Sequence, residues 1–311
     1  MLNAPNERLK RLIRQTLLIR RIEERVIELY PSDKIQSPVH LSIGQEPVAV
    51  GLCEAMTPQD ILFTTYRGHA YYIAKGGKLP ELMAELYGRS GGVSGGKAGS
   101  MHLAAPEVGM MGSSAVVAST IPHGVGAALA AKLRGEKQAV ITIFGDGATE
   151  EGVYHESLNF AVLHKVPVLF VCENNALAVH TSLAERQAFD IESHAKAYGI
   201  NTTVIEDGND LIKIGDVTAK LLASLRAGGG PEWLMIKTYR YKEHVGPGDD
   251  FDAGYRQRAD MEPWWKSDPL NRYADIVKGM EADVKAEIDR AVAFAEASAP
   301  PAPEQLLTDV E

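Results

Sequence analysis

One stretch limits what this chain can fold into more than any other: Ala139 to Asn175. It opens on AVITIF, an apolar run of strand length, and breaks at Gly145-Asp146-Gly147. ATEEGVYHESLNFAVLHK follows and predicts a helix. A second apolar run, PVLFVC, ends on Glu173-Asn174-Asn175. Strand, acidic glycine turn, helix, strand and paired asparagine make one βαβ unit. Asp146 and Asn175 then stand at the carboxyl ends of two parallel strands, where ligands bind in open α/β sheets. Two hard oxygen ligands beside a helix N-terminus suit a Mg²⁺ ion carrying a diphosphate. Gly-Asp-Gly alone is ordinary turn chemistry. The doubled signal is stronger, because Asn174-Asn175 follows the next strand after 26 intervening residues from Gly147.

The rest of the chain extends this pattern. Leu9, Leu12, Ile13, Thr16, Ile19, Ile22, Val26 and Leu29 recur at spacings of three and four, which predicts a helix over about 6–30 with an Arg/Glu-rich outer face. Helices are expected near Glu46–Met56 and Pro80–Tyr87, the latter with proline in its first turn. Residues 88–114 are dense in glycine and read either as a flexible linker or as a loop moulded around a ligand. The small residues of Gly124–Ala131 let that helix lie close to a neighbour. After Asn175, a loop leads to a helix ending near Tyr198-Gly199, and TTVIE predicts a strand. Asp207-Gly208-Asn209-Asp210 caps a helix over LIKIGDVTAKLLASLRA, and WLMIKTY gives a further strand. This alternation predicts an α/β fold: a doubly wound, mostly parallel sheet with helices on both faces. We expect one domain over 1–311, with a C-terminal helical extension over about 255–311 that includes a helix at Lys278–Ala297.

Composition closes off other classes. The net charge of −9 argues against nucleic acid or an anionic membrane as partner. No apolar run approaches the roughly 20 residues that span a bilayer. The first residues lack the apolar core of a signal peptide, so a cytoplasmic protein or a mature N-terminus is expected. Cys53 and Cys172 each sit in an apolar segment and read as buried, inert thiols.

Four more segments narrow the reading: His40-Leu41-Ser42-Ile43-Gly44-Gln45-Glu46, Tyr66-Arg67-Gly68-His69, Gly99-Ser100-Met101-His102 and Thr238-Tyr239-Arg240-Tyr241. Together with the Gly-Asp-Gly and Asn-Asn pair, they resemble the alpha subunit of the decarboxylating component of 2-oxoacid dehydrogenase complexes. That thiamine-diphosphate-dependent group includes pyruvate, branched-chain and acetoin dehydrogenases. The resemblance runs from about residue 10 to 245. It implies the diphosphate-binding half of a thiamine-diphosphate fold, with Mg²⁺ held by the Asp146 and Asn175 side chains and the Leu177 carbonyl. Leu177 stands where the family usually has Tyr, a change that a carbonyl ligand tolerates. The backbone N–H groups of Gly147 and Ala148, with Tyr66, Arg67 and Arg240, are implied at the diphosphate. Ala115 and Val117 fall in the segment whose backbone meets the aminopyrimidine. His244 aligns with a loop histidine beside the reacting carbon, and His40 with another near the channel. A lone histidine in a polar loop is ordinarily just solvated; the flanking match is what singles out His244. His69 and His102 read equally as structural, and Glu150 and Glu151 are explained by a helix N-terminus. Tyr71 and Tyr72 read as core.

These enzymes also need a carboxylate on the aminopyrimidine, which belongs to a second domain that this chain has no room for. The resemblance therefore implies a separate beta subunit in an α₂β₂ assembly, with helices such as Gly124–Ala131 at interfaces. It also implies a small 2-oxo or acyloin substrate and acyl transfer to a lipoyl-bearing acyltransferase. Val245 stands where mitochondrial members carry a regulatory serine, so kinase control at that position is not available. Two alternatives remain open on sequence: a split transketolase or carboligase using an aldehyde or sugar acceptor, and a scaffold subunit that binds cofactor without turnover.

Overall fold

The computed structural model describes residues 7–35 and 37–308. Asn6, at the expected start of the first helix, and the last three residues of the tail lie outside the described residues. Six parallel strands form the central sheet: β1 (Ile61–Thr65), β2 (Met110–Ser114), β3 (Val140–Gly145), β4 (Val168–Asn174), β7 (Asn201–Ile205) and β8 (Glu232–Lys237). Their order is β2-β1-β3-β4-β8-β7. A two-stranded antiparallel hairpin, β5 (Leu177–Ala178) with β6 (Thr181–Ser182), follows β4. The parallel α/β architecture expected from the alternation is what forms.

Both faces of the sheet are covered, and the strand residues show it. Ile141, Ile143, Leu169 and Val171 point into one core, which lies under the helices Glu7–Leu29, Glu46–Glu54, Leu79–Leu86, Leu211–Arg226 and Ala274–Ala297. Their neighbours Val140, Phe144, Val168, Phe170 and Cys172 point into the other, under Thr120–Arg134 and Gly152–Leu163. Strands buried on both faces read as continuous apolar runs, and this is why AVITIF and PVLFVC lack alternation. Cys53 and Cys172 are free and buried, as expected.

Several local expectations shift. β1 and β2 were not legible as strands: each is five residues long, and three of the five residues of MMGSS are glycine or serine. The segment after Gly145 is not helical from Ala148. A 3₁₀ turn covers Asp146–Glu150, Glu151 is extended (φ −78°, ψ 136°), and the α-helix begins at Gly152. The expected loop after Asn175 contains the β5–β6 hairpin and a short helix, Leu183–Arg186, before Ile191–Ala197. Asp210 caps the Leu211–Arg226 helix as predicted, its side chain accepting from the Lys213 N–H.

Gly124–Ala131 serves its own sheet first. A Cβ on Gly124 would come within 2.8 Å of Thr142, Ala128 is buried in the core on that face of the sheet, and Ala131 is also buried. Within this segment Gly126 faces open space. The glycine-rich stretch is not a free linker, and its last residue, Ser114, reaches the wall of a cleft. The stretch wraps the carboxylate of Glu85, a fully buried residue of the Leu79–Leu86 helix. Glu85 accepts N–H bonds from Ser94 and Gly96 at one oxygen (both 2.9 Å) and from Ala98 and Gly99 at the other (2.7 and 2.9 Å).

Candidate active site

Because all six strands run the same way, their carboxyl ends share one edge. From β1 the chain goes to the outer strand β2 and then returns to β3 on the far side of β1. Crossovers diverge there and leave a crevice. A cleft of about 260 Å³ occupies it, walled by Tyr66 and Arg67 after β1, Val116–Ala118 after β2 and Gly145–Ala148 after β3. Glu173 and Asn175 at the end of β4, Leu177 of the hairpin, and Arg240 and His244 after β8 complete the wall. Val117 lines this cleft; Ala115 does not, although its neighbours Ser114 and Val116 do. Backbone around the cleft is strained: Ala118, Ala176 and Val179 hold φ of 62°, 64° and 55°. Such conformations cost on the order of 1–3 kcal/mol each and persist only where the surroundings enforce them.

Asp146 and Asn175 come together because β3 and β4 are paired neighbours, Gly145 lying opposite Glu173. Asp146 is 1% exposed. Burial raises its pKa, opposed by the Arg186 guanidinium and by N–H bonds, including one from Asn175. Arg186, at the end of the short helix after β6, pairs with both Asp146 and Glu150. A guanidinium thus stands as a tethered cation against the carboxylate. The oxygen of Asn175 accepts from the Leu177 N–H at 3.1 Å, and its amide nitrogen donates to Gln45 at 2.9 Å. The hairpin is threaded closely over the turn, where a Cβ on Gly147 would lie 3.0 Å from Ala178. Gly147 and Ala148 open the 3₁₀ turn, so their N–H groups have no partner within it.

Two arginines border the cleft, and they differ. Arg240 is buried and ion-paired to Asp250 at 3.1 Å. Arg67 is also buried, but its partners are carbonyls: Leu41 at 2.6 Å and His244 at 3.2 Å. It forms no ion pair with any carboxylate among the described residues. Burial, the largest influence, pushes its pKa down to about 10. An uncompensated buried cation is costly, and an anion in the adjoining cleft offsets that cost.

His40, Tyr66 and His244 form one aromatic cluster, with ring centroids 4.4 Å apart for His40–Tyr66, 5.1 Å for His40–His244 and 5.6 Å for Tyr66–His244. Burial and the positive field of Arg67 lower His40 to about 3 and His244 to about 4. Both imidazoles are therefore neutral at pH 7. Residues far apart in sequence meet here because the two segments are zipped together. Tyr241 N–H donates to Ile43 (2.9 Å) and Gly246 N–H to Val39 (2.8 Å). The first helix fixes the zip from behind. Arg20 pairs with Glu46 and, at 2.9 Å, with Asp268; Glu46 accepts from the Gly44 N–H at 2.8 Å. Glu23 accepts from the Ser42 N–H at 2.8 Å and contacts His69. Arg20 and Glu23 belong to what reads in sequence as an outer, charged face; both are buried.

Among residues that sequence left as structural, His69 is so: it bridges Glu23 and Ser100 (3.2 and 2.7 Å) away from the cleft. His102 is exposed. Glu150 does more than sit at a helix start, since it lines the cleft and holds Arg186. Gln45, Glu173 and Arg186 were not singled out from sequence. The first two are embedded in motifs that were read as wholes, and Arg186 carries no local signal. No group of three or more His, Cys, Asp or Glu side chains placed to hold a metal occurs among the described residues. A site of one carboxylate, one amide and one carbonyl falls outside that criterion. No helix among the described residues is long and apolar enough to cross a membrane.

An open parallel sheet with a polar, oxygen- and arginine-lined crevice at its carboxyl edge defines an α/β enzyme built around an anionic cofactor. The chain belongs to the dehydrogenase E1 component family, whose model matches residues 14–304. It is 37% identical over 322 residues to the pyruvate dehydrogenase E1 component subunit alpha of Zymomonas mobilis, covering 99% of this chain and 90% of that one. It is 34% identical over 318 residues to the alpha subunit of acetoin:2,6-dichlorophenolindophenol oxidoreductase from Bacillus subtilis, covering 99% and 95%. Against the human mitochondrial pyruvate dehydrogenase E1 alpha subunit, somatic form, identity is 35% over 300 residues, covering 93% and 75%. The expected class, an oxidoreductase acting on an oxo group, stands.

Proposed function

We propose that this chain is the alpha subunit of a thiamine-diphosphate-dependent dehydrogenase for a small 2-oxoacid or acetoin. The observation that carries the reading is Arg67. It is a buried guanidinium with no ion-paired carboxylate among the described residues, on the wall of the cleft that also holds Asp146 and Asn175. A diphosphate with its divalent cation complements both charges at once. Asp146, Asn175 and the Leu177 carbonyl supply hard oxygens for Mg²⁺, and Arg186 marks Asp146 as a place where positive charge is favoured. Gly147 and Ala148 N–H groups, Tyr66, Arg67 and Arg240 face the phosphates. Val117, and Ala115 beside it, offer backbone to the aminopyrimidine. When bound, the cofactor would supply an electron sink for breaking the carbon–carbon bond next to the substrate's carbonyl carbon. His244 and His40, neutral at pH 7, accept or hold a proton at a ring nitrogen near the reacting group. An anion in the cleft offsets the field of Arg67 and Arg240, which raises the pKa of His244 toward a useful base.

The exposed apolar side chains Val116 and Val117, side by side on the cleft wall, support a partner on the face at its mouth. We assign that face to a beta subunit that completes the site in an α₂β₂ assembly, with a lipoyl-bearing acyltransferase as acceptor. The test is co-expression with its beta subunit and reduction of an artificial electron acceptor with pyruvate, branched-chain 2-oxoacids or acetoin. Turnover of one of them is expected, and failure with all three overturns the assignment. Calorimetry on the same complex should show Mg²⁺-dependent cofactor binding that Asp146→Ala abolishes.

A further inference from the structure

A side-chain amide has an oxygen and a nitrogen of nearly equal size, and a half-turn exchanges them. Only the oxygen can ligate a cation. Asn175 therefore needs something that sets its sense, and the structure contains it. Its Nδ2 donates to Gln45 Oε1 at 2.9 Å. Gln45 carries the same ambiguity, and one link further on its amide lies close enough to the carboxylate of Glu173 to favour the charged form of that group. Tyr71 donates to the same carboxylate, its hydroxyl 3.1 Å from Oε2. Tyr71 is buried away from the cleft, while Gln45 and Glu173 are largely buried and show only an edge to it. In its charged form this carboxylate accepts from Tyr71 and favours Gln45 with its nitrogen turned toward it. Gln45 then presents oxygen to Asn175, and Asn175 is left with its own oxygen on the side of Leu177.

We propose that Glu173, acting through Gln45, is a positioning residue that holds the Asn175 oxygen toward the cation, with Tyr71 completing the bonding of the Glu173 carboxylate. The proposal rests on the reading of Asp146 and Asn175 as metal ligands. A glutamine at position 173 can offer nitrogen to Gln45 and let both amides turn over; a methionine at 45 removes the link.

The test uses the assembled alpha–beta complex with thiamine diphosphate and Mn²⁺ as probe, its free concentration read by electron paramagnetic resonance. Glu173→Gln and Gln45→Met are each expected to weaken Mn²⁺ binding about 10- to 100-fold, the usual effect of losing a group that orients a metal ligand. Asn175→Asp makes both oxygens equivalent, so adding Glu173→Gln to it should cause no further loss. Equal losses in both backgrounds would mean that Glu173 acts through packing and would overturn the proposal. Wild-type affinity in both Glu173→Gln and Gln45→Met, with binding abolished by Asp146→Ala, overturns the orientation role alone. Mn²⁺ binding that survives Asp146→Ala overturns the underlying metal assignment.

Discussion

Glu85→Gln is a change of one atom whose cost can be worked out bond by bond. In the wild type each carboxylate oxygen accepts two backbone N–H groups, from Ser94 and Gly96 on one side and Ala98 and Gly99 on the other. A glutamine keeps one oxygen and turns an NH₂ group on the other pair of donors. Two N–H groups then lose their acceptor and face a donor. Each orphaned buried donor costs roughly 1–3 kcal/mol, and the retained pair weakens with loss of the charge. The loop around them is only half-buried, so water recovers part of this. A net loss of about 2–4 kcal/mol is expected. It should appear as a lower denaturant midpoint and as faster tryptic cleavage at Arg89 and Lys97. The consequence reaches the cleft. Ser113 Oγ donates to the Met101 carbonyl of this loop at 2.9 Å, and Ser113 precedes the cleft residue Ser114 on β2. An unchanged midpoint together with unchanged cleavage would show that the loop does not depend on this carboxylate.

Three further outcomes are expected. Gly44→Ala forces a side chain onto a φ of 96° with its Cβ 2.7 Å from the Tyr241 ring; we expect destabilisation above about 2 kcal/mol, and a thermal midpoint equal to wild type would refute it. His244, with its pKa lowered to about 4 by burial and by Arg67 and Arg240, should show no titration between pH 5.5 and 8 by NMR in the cofactor-free protein, and an inflection near 6.5 would contradict the burial argument. The sign follows: between pH 6.5 and 4 the unfolded chain binds a proton that the folded one does not, so this residue destabilises the fold as pH falls through that window and has no effect above it. Arg186→Gln removes a cation that competes for Asp146, so Mn²⁺ should bind several-fold more tightly; weaker binding would mean that Arg186 assists rather than competes.

Much of the sheet was readable because β3, β4 and β8 are apolar on both faces and end in turn chemistry. β1 and β2 escaped because they are short and polar at their carboxyl ends, where they approach the cleft. Asp146 and Asn175 were legible from spacing, since neighbouring strands bring their ends together whatever surrounds them. Arg186 was not, because its place depends on a six-residue hairpin, 177–182, that no periodicity announces. The charged face of the first helix misled for a related reason: a helical pattern separates apolar from polar residues, but does not say that Arg20 and Glu23 meet buried partners. Sequence named Arg67 and Arg240 together, yet only the partners, two carbonyls against one carboxylate, distinguish an unmet positive charge from a satisfied one.

The backbone zip between residues 39–43 and 241–246 sets where the rim of the cleft can hinge. Tyr241 and Gly246 are both tied to the early segment, and that segment is bolted to the first helix by buried charges. His244 lies between the two ties. A swing of the loop as a whole would have to break these backbone bonds, drag His40 with it and part the buried Asp250 from Arg240 and Arg256. The two ties therefore hold His40 and His244 at one mutual geometry, so a ligand entering the cleft meets both rings already in place.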